Sequence, residues 1–268
     1  MDENEVVPTI SAPSTARARA RAEITHEITE VARRQLAEVG AAGLSLRAVA
    51  RELGMVSSAV YRYFPSRDEL LTALIVDAYD AVGAAVEQAD VDAVERNVRA
   101  RRDPREAFRQ RWAAVATAVR TWAIDHPNEY ALIYGSPVPG YAAPADTIAP
   151  AARPALGFLR VLADGVATGA IDTDAGPAVP RALHADLAAI RAEAPGVPDA
   201  VLLRGLLVWT QLFGAVSFEL FGHLHNVIHD YDALFAHHLR LGGDLLLGGA
   251  HRTEERQGLS RSSGGRKS

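Results

Sequence analysis

Residues 44–74 read LSLRAVARELGMVSSAVYRYFPSRDELLTAL, and their spacing decides the fold. Ser45 is a good helix N-cap, and Leu46, Val49, Ala50 and Leu53 follow it at i, i+3, i+4 and i+7, the single apolar face of a short helix. Gly54 supplies the left-handed residue that ends this helix and turns the chain. The next helix is predicted from about Ser57 to Phe64, where Pro65 stops it. Ser66-Arg67-Asp68-Glu69 is then a complete capping box for a long helix to about Ala89. Two short helices joined by a tight glycine turn form a helix-turn-helix. Upstream, Ile24, Ile28, Val31, Leu36 and Val39 mark one face of a helix from about Arg17 to Val39, and Gly40 and Gly43 stop it.

Downstream the helical period continues. Asp103-Pro104-Arg105-Glu106 combines an N-cap, a proline in the first turn and an acid, opening a helix to about Asp125. His126-Pro127 breaks it, and 128–134 reads as a short helix. Residues 135–155 hold five prolines and read as a loop, with a lid as one option, before a helix from about Ala155 to Thr168. A Pro/Gly-rich stretch, 172–198, encloses a modest helix at 181–193, and two long helices follow at about 199–225 and 230–247. No run of alternating β-branched residues interrupts this pattern, so the fold class is all-α. The expected organisation is a disordered lead (1–16), a helix-turn-helix domain (17–66), a helical ligand-binding and dimerisation domain (67–249) and a disordered basic tail (250–268).

Composition narrows the function. The chain has 268 residues, 49% of them apolar and 23% charged, the balance of a folded soluble protein. There is no cysteine, which excludes disulfide scaffolds, thiolate metal sites and cysteine nucleophiles. Asp2, Glu3 and Glu5 follow Met1 with no apolar run, so no secretory signal is visible. The greasiest stretch, Gly205 to Phe218, contains Gln211 and falls short of the roughly 20 apolar residues that a membrane span needs. The expectation is a cytoplasmic protein with no membrane partner. The net charge of −5 hides a partition: residues 14–67 hold nine Arg against five Glu, whereas residues 68–250 hold 14 Arg against 23 acids. A small basic block beside a larger acidic body suggests that one part alone meets phosphate.

The 44–74 stretch closely resembles the DNA-binding segment of TetR-family transcriptional regulators. The shared features are the amphipathic helix, Gly-apolar, a small-residue start to the recognition helix, aromatic-x-aromatic-Phe, and a turn followed by a basic residue and Glu-Leu-Leu. The resemblance implies that Ser57, Ser58 and Ala59, being small, let the recognition helix approach base edges in the major groove. It implies a phosphate contact from the Tyr61 hydroxyl, with Tyr63 beside it, and a phosphate contact from Arg67. Arg47 and Arg62 are placed to reach base or phosphate. Arg17, Arg19 and Arg21 form an arm that could enter the minor groove or track phosphates. Each has a plainer reading: the tyrosines as core aromatics, the arginines as solvated charges.

A softer resemblance covers the C-terminal half. His126-Pro-Asn-Glu-Tyr-Ala-Leu-Ile-Tyr-Gly135 and the stretch from Trp209 to Leu224 look like the ligand domain of the Trp-His-Gly type TetR subfamily. Here Gln211 and Phe213 stand where a Leu-His pair is common, which leaves the ligand open. The resemblance implies a homodimer joined through the last two long helices, a cavity for a small-molecule effector, and double-stranded DNA with a palindromic operator as partner. Trp112, Val115, Val119, Trp122, Tyr134, Phe158, Trp209 and Phe213 are the candidate cavity residues, with plain core packing as their alternative. No cofactor is implied. Five histidines between His223 and His238 raise a metal site, but Asn226 and Asp230 break the helix that would align His225 with His229, so none is expected. No GxSxG, HExxH or Gly-rich phosphate loop is present, and an enzyme is not expected. The reading is a ligand-responsive DNA-binding repressor, with an inducer-free DNA-binding or scaffold protein and a helical-bundle enzyme as alternatives.

Overall fold

The computed structural model describes residues 12–249, and every regular element among them is helical. The expectations for 1–11 and for the tail from 250 lie outside the described residues. Eleven α-helices follow in order: α1 (Ala12–Gly43), α2 (Leu46–Glu52), α3 (Ser57–Val60), α4 (Arg67–Ala100), α5 (Pro104–Asp125), α6 (Pro127–Tyr134), α7 (Ile148–Ala167), α8 (Leu183–Asp186), α9 (Ala188–Glu193), α10 (Asp199–Leu220) and α11 (Tyr231–Leu247). One 3₁₀ turn, Ala145–Thr147, precedes α7.

Several elements differ from the sequence expectation, each for an identifiable reason. α1 starts at Ala12, because the Ala/Arg run around residue 17 favours helix. Gly40 leaves helical geometry at φ 68°, so the expected stop is there. α4 runs to Ala100 because nothing after Gly83 breaks it until Arg101 takes a positive φ of 50°. α7 begins at Ile148 and runs through Pro154, inside the stretch expected to be a loop. Pro150 sits in its first turn, where the missing N–H has no helical partner anyway, and Pro154 is buried. α10 ends at Leu220, five residues short of the expected end, where Gly222 and Asn226 adopt left-handed backbone.

The chain forms two compact units. One comprises the described residues up to Asp77 together with Asn128–Thr147; the other comprises Ala78–Pro127 and the described residues from Ile148. The division therefore falls inside α4, beyond the expected boundary at 66/67. The stretch 128–147, expected with the ligand-binding domain, clusters with the N-terminal unit, where the Tyr141 hydroxyl lies 2.9 Å from Thr72 Oγ1.

In the N-terminal unit, Ile28, Val31, Leu36, Val49, Val60, Phe64, Leu70, Leu71 and Leu74 form the core. The second unit packs Phe108, Trp112, Val115 and Val119 of α5 against Phe158, Val161 and Leu162 of α7 and Val201, Leu202 and Val208 of α10. α7 and α10 approach closely at Gly205, where a Cβ would stand 2.5 Å from Leu162 Cδ1. Ion pairs knit these helices together. Arg111 on α5 reaches Asp90 of α4 and Asp164 of α7, and Arg120 on α5 reaches Glu219 of α10 and Asp232 of α11. Arg204 departs from this pattern: it is buried, donates Nη2 to the Asp172 carbonyl at 2.6 Å, and leaves Nε and Nη1 without partners among the described residues. Burial pushes its pKa below the ordinary arginine value.

Candidate nucleic-acid interface

The helix-turn-helix is fixed from inside. Gln35, buried on α1, accepts the Ser45 N–H at 3.3 Å, and Ser45 Oγ accepts the Ala48 N–H at 3.5 Å, so α1 sets the start of α2. Gly54 turns the chain at φ +65°, and the Met55 N–H closes the turn on the Ala50 carbonyl at 2.8 Å. Val60 and Phe64 then anchor the recognition element in the core. That element is shorter than the expected Ser57–Phe64 helix. After Val60 it tightens into i→i+3 bonds, from Arg62 N–H to Ala59 and from Tyr63 N–H to Val60. Phe64 precedes Pro65, which disfavours helical geometry at that residue.

This geometry sorts the expected DNA contacts. Ser58, Tyr61 and Arg62 are exposed, and Ser57 and Tyr63 are half-buried. Ala59 turns into the core at 8% exposure, so of the three small residues only Ser57 and Ser58 stand at the surface. Arg67 donates Nη2 to the Ala41 carbonyl at 2.6 Å and Nη1 to Asp68 at 3.3 Å, which ties the end of α1 to the start of α4. Arg21 lies on the recognition element: Nη2 is 3.5 Å from the Arg62 carbonyl, and the guanidinium stands 5.0 Å from the centre of the Tyr63 ring. Because α1 is already helical there, Arg17 and Arg21 share one face and Arg19 points elsewhere, so residues 17–21 are not an extended arm.

The other arginines of this unit divide cleanly. Arg33 pairs with Glu30 and Asp77, and Arg34 with Glu52. Arg17, Arg19, Arg47, Arg51 and Arg62 are exposed and form no ion pair among the described residues. Arg51 was missed from sequence, although it lies one turn after Arg47 on α2 and shares its face. Val56, 71% exposed just before α3, was missed too; an apolar side chain there suits a thymine methyl. Unpaired guanidinium groups beside serine and tyrosine hydroxyls can bind phosphate oxygens and guanine edges.

In the second unit four candidate ligand residues meet in a chain. Trp112 tilts against Phe158 at 5.4 Å, Phe158 stacks on Trp209 at 5.3 Å, and Trp209 meets Phe213 edge-on at 4.8 Å. Trp112 Nε1 donates to the Leu239 carbonyl at 2.9 Å. Phe158 and Trp209, with Leu159, Leu162, Leu202 and Leu206, line an apolar cleft of about 110 Å³. Val115 and Val119 are fully buried core. Trp122 stacks on His126 at 5.4 Å, has no partner for its buried Nε1, and borders a wider, alanine-lined groove between α4 and α5. Tyr134 belongs to the N-terminal unit, tilted against Tyr130 at 5.2 Å. Among the described residues no group of three or more His, Asp or Glu side chains is arranged to hold a metal.

Comparison with known proteins agrees with this layout. Residues 28–74 match the family described as bacterial regulatory proteins, tetR family, and residues 112–241 match the tetracyclin repressor-like C-terminal domain. HTH-type transcriptional regulators of Mycobacterium tuberculosis and Mycobacterium bovis are 47% identical over 207 residues, covering 76% of this chain and 83% of each relative. The crystal structure of the regulatory protein SCO4313 is similar at 36% identity with a TM-score of 0.62, covering 85% of this chain and 98% of that one. The TetR family regulator PfmR from Thermus thermophilus shares the fold at 21% identity and a TM-score of 0.50, over 84% of this chain and 99% of its own.

Proposed function

This chain belongs to the TetR family of bacterial transcriptional regulators, and from that premise we propose that it is a homodimeric repressor released from a palindromic operator by a small apolar molecule. The observation that carries the DNA half is the division of the N-terminal arginines into paired and unpaired. Arg47, Arg51 and Arg62, with Ser57, Ser58, Tyr61 and Tyr63, form the contact surface; Arg17 and Arg19 reach flanking phosphates. Arg21 and Arg67 act mainly by holding that surface in shape. A recognition element as short as Ser57–Val60 reads few base pairs, so a second copy is needed to complete the site.

Exposed Leu207 and Phe218 on α10 and Leu241 and Leu245 on α11 support a dimer through these helices. α10 is long and apolar enough to cross a membrane by length and composition alone. In this reading its outer apolar face meets the partner copy instead, and the protein works in the cytoplasm beside its operator. The cleft at Phe158 and Trp209 supports an uncharged effector, since its lining offers almost only carbon. DNA binding requires recognition elements about 34–36 Å apart in the dimer. An effector that favours another spacing by about 2.7 kcal/mol lowers operator affinity about 100-fold.

Selection of random duplex DNA by the purified protein at physiological salt tests the reading. A short palindrome with two half-sites is expected. Binding without sequence enrichment, fading as salt rises, would overturn it in favour of a charge-driven docking protein.

A further inference from the structure

Helix α7 carries two working faces. Ala155, Phe158, Leu159 and Leu162 line the apolar cleft. Arg153 and Gly157 meet α4. Arg153 grips both oxygens of Glu87, with Nε at 3.1 Å and Nη2 at 2.7 Å, while Nη1 reaches the Asp80 carboxylate at 3.1 Å and the Asp80 carbonyl at 3.2 Å. Midway between those two acids, Gly83 leaves a slot for the arginine stem: a Cβ there would stand 2.7 Å from both Cγ and Cδ of Arg153. One turn along α7, Gly157 lies against Val86, whose Cγ1 would be 2.6 Å from a Cβ. Each helix thus contributes a glycine to the contact, and one guanidinium spans two turns of α4.

We infer that Arg153 is a positioning residue, a latch from α7 across Gly83 that sets the orientation of α4 and makes cleft occupancy felt by the DNA-reading unit. The inference rests on the regulator reading above. α4 is the helix that continues from the second unit into the first, between Asp77 and Ala78. In the first unit it is held by buried Leu70, Leu71 and Leu74 and by Asp77 paired with Arg33. Ala155 is two residues from Arg153, so a molecule that moves α7 at the cleft also moves the base of the latch. Exposed ion pairs add little stability singly. A two-toothed fork adds geometry, and the bond to the Asp80 carbonyl holds the helix backbone itself. The latch therefore serves direction more than stability.

Operator affinity, measured by fluorescence anisotropy on the selected duplex, tests it together with amide hydrogen exchange over residues 78–90. Arg153→Met should weaken operator binding about tenfold, equivalent to about 1.4 kcal/mol, and speed exchange in that stretch while the melting temperature barely changes. Gly83→Ala, which drives the stem from its slot, should do the same. Because both changes break one contact, the double variant should be no worse than the weaker single. Arg160→Met removes only a 3.4 Å contact to the same Glu87 and should bind like the wild type. If the wild type selects an operator and Arg153→Met binds it equally with unchanged exchange, the latch is wrong and the regulator reading stands. If Arg153→Met fails to fold, Gly83→Ala decides alone, and wild-type behaviour there overturns the latch. If the wild type selects no duplex, the regulator reading fails first and the latch falls with it.

Discussion

The two units use arginine in opposite ways. In the N-terminal unit Arg47, Arg51 and Arg62 stand exposed around the recognition element, with no carboxylate partner among the described residues. In the second unit Arg111, Arg120 and Arg153 each hold two acids. The hydrogen bonds that Arg120 donates to Glu219 lead the causes that keep its guanidinium above the ordinary pKa, and those that Arg153 donates to Glu87 do the same there. A cation matched by two anions projects little field into solvent, whereas an unmatched one attracts phosphate over a Debye length of about 8 Å at physiological salt. The same residue type is thus a fastener in one unit and, in the proposed function, a reader in the other. Its partners decide which.

The largest expected effect breaks the reader. Replacing Arg47, Arg51 and Arg62 together with glutamine should lower operator affinity by about a thousandfold, since each guanidinium lost removes a contact of about 1–3 kcal/mol. The slope of log affinity against log salt should flatten by about 0.9 for each phosphate contact removed. Folding stability should stay within about 0.5 kcal/mol, because none of the three holds another element. A salt titration by anisotropy beside a urea melt separates the outcomes. A protein that loses stability and keeps its DNA would reverse the assignment.

The next effect breaks a fastener. Arg120→Ala strands Glu219, only 16% exposed, without its two-toothed partner, and removes a guanidinium that lies 4.9 Å from the Phe235 ring centre. Breaking such a part-buried pair should cost about 3 kcal/mol of stability. Denaturant melts measure this, and operator affinity per folded protein should hardly move. A DNA-binding defect without destabilisation would instead place Arg120 in the signalling path.

Much of this was legible in the sequence, for local reasons. The helix-turn-helix rests on capping and breaking signals inside residues 44–74, and Ser45, Gly54 and Ser66 act as their chemistry requires. The illegible parts depend on partners distant in sequence. Arg67 reads as a phosphate ligand, and the local sequence does not reveal that Ala41, 26 residues away, takes its Nη2. Nothing in the local sequence explains Gly83, and only Arg153, seventy positions on, gives it a purpose. The first turns of α7, ahead of the expected start at Ala155, were hidden because Pro150 and Pro154 usually signal loops; a proline in a first turn is in fact tolerated.

The smallest effect sharpens the comparison by titration. A hydrogen bond from Arg153 holds the Glu87 carboxyl below its ordinary pKa, against the opposing pull of burial. A carboxylate with a lower pKa when folded binds fewer protons in the folded chain, so its contribution is complete above the unfolded value, about 4.3, and disappears as pH falls through the folded value. The stability difference between wild type and Arg153→Met should therefore be constant from neutral pH down to about 5 and shrink below about 4. The corresponding difference for Arg47→Gln should be flat throughout, since Arg47 pairs with no carboxylate among the described residues. Urea melts across that range read both. A difference for Arg153 that ignores pH would mean its stem, packed over Gly83, does the holding, and the contrast between fastener and reader would rest on shape instead of charge.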